Sequence, residues 1–295
     1  MKPIRIAVLP VAGFGTRVLP ATKTIPKEML PVVDRPALQY VVDEAKEAGI
    51  EHFVFVTGRG KASIEDYFDS AFELEHSLVA RGKNDIFQDV KKSQLIEGSM
   101  SFVRQQMAKG LGHAVWCARD IVGDQPFAVL LPDVLIKSEK SCLAQMIEVY
   151  NQVGGNIIAV DAIPSERVSS YGVINPKAGA RSEIENLIQM DGMVEKPPIA
   201  QAPSNLKITG RYILQPELMG LLKDQAAGAG GEIQLTDAMA RLMKMQDFYA
   251  FTYEGQDYDC GSKIGYLECV LAYAKTHPEI GEDATALINE MAHIS

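Results

Sequence analysis

The stretch that most limits how this chain folds is residues 7 to 31, A-V-L-P-V-A-G-F-G-T-R-V-L-P-A-T-K-T-I-P-K-E-M-L-P. Ile4 to Leu9 is a near-continuous apolar run, the pattern of a parallel strand buried on both faces. Gly13 and Gly15 follow at its carboxyl end, where open α/β sheets bind ligands, and glycine lets backbone N–H groups approach a phosphate. Pro20, Pro26 and Pro31 forbid the helix that a dinucleotide-binding turn requires, because each lacks an N–H and restricts the residue before it. Val18 also stands where G-x-G-x-x-G needs its third glycine, so the spacing of Asp34 as a ribose-binding acid is a coincidence. A nicotinamide cofactor is disfavoured. What remains is a loop carrying Arg17, Lys23 and Lys27, suited to a chain of phosphates.

A second glycine-rich segment, Gly58-Arg59-Gly60-Lys61-Ala62-Ser63, resembles the end of a P-loop. Phe55 replaces its first glycine and Ala62 its magnesium-binding hydroxyl, so it reads as a turn after a strand at His52 to Thr57. A net charge of −9 leaves no basic footprint for nucleic acid. An acidic chain that binds a polyphosphate must gather its cations locally or recruit a divalent metal, which makes the Arg17, Lys23, Lys27 cluster informative. No apolar run approaches the length of a membrane span, and Met1-Lys2-Pro3 leads directly into the first strand, so the expectation is a soluble, cytoplasmic protein without a membrane partner. Cys117, Cys142, Cys260 and Cys269 have no metal or redox spacing and are expected to be reduced thiols, mostly buried.

Strands and helices alternate. Helices are expected over 36–48, 61–80, 84–96, 114–122 and 142–150, with strands at 52–57, 101–105, 127–131 and 156–161. Such alternation implies an α/β fold with a doubly wound, mainly parallel, Rossmann-like sheet. The middle, 165–213, reads as short strands and turns, followed by a strand at 248–253 and helices at 216–223, 233–246, 262–276 and 282–293. There is no repeat or clear linker. We expect one domain, made of 1–163, a smaller β-rich part at 164–265 and C-terminal helices at 266–295.

Several polar residues sit at strand ends. Asp133 follows F-A-V-L-L-P, and a carboxylate there suits either a magnesium ion bridging phosphates or a turn cap. Asp259, in Y-D-C-G, is a second acid at such a junction, with the same two readings. Glu195-Lys196 on a proline-fixed bend is either a sugar and sugar-phosphate ligand pair or a solvated ion pair. Tyr171-Gly172-Val173-Ile174 is either part of a site or a tight turn.

Together, A-G-x-G-T-R, P-K-E-M-L-P, G-L-G-H-A, L-P-D, Y-G-V-I, V-E-K-P and Y-D-C-G occur in the order seen in the sugar-1-phosphate nucleotidylyltransferases, which the chain resembles from residue 4 to about 275, and P-K-E-M-L-P and G-L-G-H-A-V point to the uridylyl branch. The resemblance implies a nucleotide-diphospho-sugar transferase fold and a magnesium-dependent reaction of UTP with glucose 1-phosphate to UDP-glucose and diphosphate. It also implies roles: Ala12, Gly13 and Gly15 receive the nucleotide, Arg17 and Lys27 hold the triphosphate, and Gln106 and Gly112 read the uracil edge. Asp133 binds Mg2+ with Asp259 as partner, Gly172 and Glu195 contact glucose, and Lys196 holds the sugar phosphate. A homo-oligomer is implied as well. Phe14 departs from the family's usual leucine and touches none of these roles. His113 is structural or nucleotide-adjacent, because an already ionised phosphate needs no base. Two alternatives stand beside this reading: a thymidylyl or relaxed transferase, since one methyl discriminates weakly, and a non-catalytic nucleotide-sugar sensor.

Overall fold

The computed structural model describes residues 1–179, 183–228 and 231–293. Among these residues the strands are β1 (Ile6–Pro10), β2 (Pro31–Val32), β3 (Arg35–Pro36), β4 (His52–Thr57), β5 (Met100–Arg104), β6 (Phe127–Leu130), β7 (Val134–Lys137), β8 (Asn156–Ala162), β9 (Gly172–Pro176), β10 (Leu187–Glu195), β11 (Leu206–Leu214), β12 (Phe248–Thr252) and β13 (Gln256–Asp259). Nine form one sheet in the order β5-β4-β1-β6-β11-β8-β12-β10-β9.

The alternation within β1 divides the core. Ala7 and Leu9 face one side of the sheet, against Leu38, Val41 and Ala45 of helix Ala37–Glu47 and Leu143 and Met146 of helix Cys142–Val153. Ile6 and Val8 face the other, against Val115, Leu218, Leu222 and Met239 from three further helices. Burial on both faces is what permits strands as apolar as I-A-V-L-P and F-A-V-L.

The sheet is parallel where βαβ units build it, in the pairs β1–β4, β1–β6 and β4–β5. It turns antiparallel at β11, which pairs with both β6 and β8, and at β10, although β12 runs parallel to β8. The middle segment, expected as short strands, contains the nine-residue β10 and β11. Their periodicity is broken by register shifts at Met190/Gly192 and Ile208/Tyr212, the second beside Gly210 at φ 83°. Lys207 and Arg211 also interrupt the apolar run, yet both are buried because each meets carboxylates inside the protein. The single helix expected over 61–80 is two, Ala62–Phe68 and Phe72–Ala80, and the helix expected from Ala114 begins at Leu111 and is interrupted at Ala118. The four cysteines are free thiols, three of them buried. Among the described residues, no helix is long and apolar enough to cross a membrane.

Candidate active site

The loop after β1 is moulded around the side chains that follow it. Gly15 has φ 65°, and a Cβ there would lie 3.1 Å from Lys27 Cβ and 3.2 Å from Thr22. Thr22 Oγ1 donates to the Gly15 carbonyl at 2.7 Å, closing the turn. Short 3-10 turns, Thr16–Val18 and Lys27–Met29, then carry Arg17, which lines the cleft, and Lys27, which stands behind the cleft-lining Asp133, while Lys23 is exposed outside the cleft. Gly13 is exposed, Ala12 is half-buried, and Gly58 packs over Ala12 so closely that a Cβ would meet the Ala12 carbonyl at 3.2 Å. Lys61 of the P-loop-like segment is buried 2.8 Å from Glu28 and braces the loop from behind. Burial drives the Glu28 carboxyl above its ordinary value, although Lys61 and Lys27 oppose this. Asp34 lies away from the loop, its carboxylate 3.1 Å from His277 Nε2 and 3.7 Å from Arg35.

Asp133 occupies the turn between β6 and β7. The sequence supplies no cation within three residues of it, but the fold brings Lys27 Nζ to 2.6 Å from its Oδ2 and Arg17 to 3.6 Å. Asp259 arrives through an antiparallel ribbon in which it lies opposite Val134. Asp259 therefore ends a strand of its own, where the sequence suggested only a strand-to-helix junction. Arg17 reaches it at 3.8 Å, the Gly261 N–H donates to its Oδ1 at 2.9 Å, and the Cys260 N–H donates to the Asp133 carbonyl at 2.8 Å. Burial alone would push the Asp133 carboxyl up, but Lys27 and Arg17 outweigh it and hold the carboxyl below its ordinary value. Burial likewise works against the Lys27 ammonium, and Asp133 and Glu28 together more than offset it.

The two carboxylates converge. A Cβ built on Gly261 would lie 2.9 Å from Asp259 Oδ1 and 3.0 Å from Asp133 Oδ2. An all-oxygen pair of this kind fits magnesium, which takes one or two carboxylates and completes its shell with water and phosphate oxygens. No group of three or more His, Cys, Asp or Glu among the described residues is placed to hold a metal without such help.

At the opposite end, the β9–β10 ladder sets Gly172 directly across from Glu195. The absent side chain matters there, since a Cβ on Gly172 would lie 3.1 Å from Glu195 Oε2 and 3.3 Å from Ile208. Lys196 follows with φ 47°, a left-handed conformation unusual for a residue before proline and fixed by its N–H donating to the Tyr171 carbonyl at 3.0 Å. Its ammonium is exposed and only 3.7 Å from Glu195. A cleft of about 660 Å³ joins the two ends, lined by Arg17, Asp133 and Asp259 on one side and Gly172, Glu195 and Lys196 on the other. Sequence reasoning missed its floor, Lys207, Thr209, Tyr212 and Thr236. The buried Thr236 hydroxyl has no hydrogen-bond partner. The L-T-D triplet opening helix Leu235–Leu242 was the available signal.

Gln106 is exposed and lines an adjoining hollow with Lys109, His113 and Trp116 rather than the main cleft. The Gly112 N–H is committed to the Ile233 carbonyl at 2.9 Å, and a Cβ there would meet that carbonyl at 2.8 Å. His113 Nδ1 lies 3.0 Å from Gln105 Nε2, which places the imidazole proton on Nε2, and burial, Lys109 and Arg119 lower its pKa.

Residues 6–276 match the family model described as "Nucleotidyl transferase". The chain is 46% identical over 282 residues to a UTP–glucose-1-phosphate uridylyltransferase of Bacillus subtilis, covering 95% of this chain and 94% of that one. It superposes on a UTP-bound UGPase from Acinetobacter baumannii with a TM-score of 0.88 at 49% identity, covering 98% and 99% of the two chains. A UDP-glucose pyrophosphorylase complexed with UDP-glucose aligns with a TM-score of 0.82 at 42% identity, over 93% of this chain and all of the other.

Proposed function

The chain belongs to the nucleotidyl transferase family, and from that premise we propose that it catalyses the reversible reaction of UTP with α-D-glucose 1-phosphate to give UDP-glucose and diphosphate. One observation carries the reading: a single cleft has a cation and carboxylate cluster at one end and an acid-base pair on a strained bend at the other. This polarity suits two phosphorylated substrates that must meet despite like charge.

Arg17 and Lys27 hold the triphosphate against the amides of Ala12, Gly13 and Gly15. Glu195 accepts from glucose hydroxyls beside Gly172, where the missing Cβ leaves room for the ring, and Lys196 pairs with the sugar phosphate. Gln106, approaching from the neighbouring hollow, is the side chain assigned to the uracil edge, and Gly112, its N–H committed to Ile233, contributes through its missing side chain, which lets the helix pack against Ile233. A phosphate oxygen of glucose 1-phosphate attacks the α-phosphorus in line, the bond to the bridging oxygen breaks, and diphosphate leaves with its electron pair. Charge in such a transition state is spread over phosphoryl oxygens, so positioning and electrostatics do the work, and no side chain need act as nucleophile. Asp133 and Asp259 would hold Mg2+, which supplies charge neutralisation for the phosphates. His113 accepts through Nδ1 and stays neutral at physiological pH, in keeping with a structural place.

The product is released into the cytoplasm by a homo-oligomeric enzyme in which residues 1–163 serve the nucleotide, 164–265 the sugar phosphate and 266–295 the subunit contact. Support for that contact comes from the exposed apolar residues Leu267, Leu287 and Met291. Diphosphate release from a panel of nucleotides and sugar phosphates, with and without Mg2+, tests the assignment. UTP with glucose 1-phosphate and Mg2+ should be the best combination. Faster turnover of dTTP would move the chain to the thymidylyl branch, and no turnover of any pair would make it a sensor.

A further inference from the structure

Among the described residues Arg211 is the largest side chain with no exposure at all, and it lies behind the cleft rather than in it. Its guanidinium is fully engaged. Nε and Nη2 donate to the two carboxylate oxygens of Glu44 at 3.0 and 2.8 Å, while Nη1 donates to the Leu131 carbonyl at 3.1 Å and Nη2 to the Val134 carbonyl at 2.8 Å. Those carbonyls bracket Pro132-Asp133. Glu44 is anchored by helix Ala37–Glu47 and also accepts from the Leu143 N–H at 3.2 Å, so the grip ties the turn to two helices packed on the sheet.

A buried ion pair is generally no more stabilising than an apolar pair of the same volume. What the guanidinium provides here is shape, a rigid planar fork that can satisfy a carboxylate and two carbonyls at once. A lysine ammonium has three donors at one point and cannot span these acceptors. The Asp133 carbonyl is in turn the acceptor for Cys260, next to Asp259, so the position of one carboxylate is passed to the other.

We propose that the Arg211–Glu44 pair is a positioning device for the reaction, holding the turn so that Asp133 and Asp259 converge. This rests on the site reading given above. Arg211 cannot reach a substrate and acts only through the turn.

Two variants test it: Arg211→Lys, which keeps the charge but loses the fork, and the double change Glu44→Leu with Arg211→Met, which removes both charges and avoids an unpaired buried carboxylate. Folding is checked by circular dichroism. Both should lose at least about tenfold in kcat, since small misplacements of reacting groups are costly, with smaller changes in KM. Mn2+ binding to the UTP complex, followed by electron paramagnetic resonance, should weaken in parallel. In an Asp133→Asn background the same changes should alter kcat by less than about twofold, because the effect runs through Asp133. A folded variant with wild-type kcat and Mn2+ binding would overturn the proposal. So would an equal loss in both backgrounds, the mark of a purely structural role. If Asp133→Asn alone keeps wild-type kcat, the site reading itself fails and takes this proposal with it; if Asp133→Asn is impaired and the clamp variants are not, only the clamp is wrong.

Discussion

Lys27 and Asp133 lie 106 positions apart in sequence and 2.6 Å apart in the fold. Each side chain is mostly shielded from water, with 18% and 19% still exposed, so each leans on the other. Lys27→Ala should therefore cost at least about a hundredfold in turnover, the scale of a lost electrostatic stabiliser, with the circular dichroism spectrum unchanged. The pair also fixes a pH dependence. The Asp133 carboxyl is held below 3.8, so its contribution to stability is fully present above that value and is lost as pH falls through the lowered pKa. Lys27 is held above 10.5, so its share is present below that value and lost as pH rises through the raised pKa. The stability gap between wild type and Lys27→Met in urea titrations should accordingly be flat at neutral pH and close below 3.8. Gly15→Ala places a Cβ at φ 65° beside Lys27 and Thr22 and should cost about 1–2 kcal/mol or more in thermal unfolding. At this scale the residue types were legible: a glycine turn with cations, and acids at strand ends. Their pairing was not, because nothing local in L-P-D-V-L-I announces a lysine from the first loop.

Individual ladders do the positioning. The β9–β10 register puts Gly172 across from Glu195, and the β7–β13 ribbon puts Asp259 across from Val134, next to Asp133. A methyl group at position 172 would intrude on Glu195 and Ile208, so Gly172→Ala should raise KM for glucose 1-phosphate by about tenfold or more and leave KM for UTP little changed in steady-state kinetics. Equal changes in both would detach Gly172 from the sugar. The parallel strands were readable because burial on both faces leaves continuous apolar runs such as F-A-V-L. β11 was not, since L-K-I-T-G-R-Y-I-L carries two charges and a glycine, and its burial depends on Asp257, Asp161 and Glu44, residues distant in sequence. The kink at Asp69-Ser70 went unread for a simpler reason: with neither glycine nor proline there, periodicity continued across the break.

On the scale of the molecule, the sheet changes from parallel to antiparallel at β11, and the cleft opens where β6 and β11 meet the turn at Asp133. The terminal helix Gly281–Ala292 leaves Leu287 and Met291 more than half exposed. If these cover a second copy, Leu287→Glu with Met291→Glu should lower the mass found by sedimentation equilibrium while leaving the far-ultraviolet spectrum intact. In the proposed reaction the cleft brings glucose 1-phosphate directly onto the α-phosphorus of UTP, with no covalent intermediate on the protein. This is tested most directly by the stereochemical course with UTP chiral at the α-phosphorus through a single sulfur substitution. Thio-substituted UDP-glucose should form with inversion at phosphorus, the result of one in-line displacement. Retention would require two displacements and a nucleophile on the chain, and would rule out direct transfer.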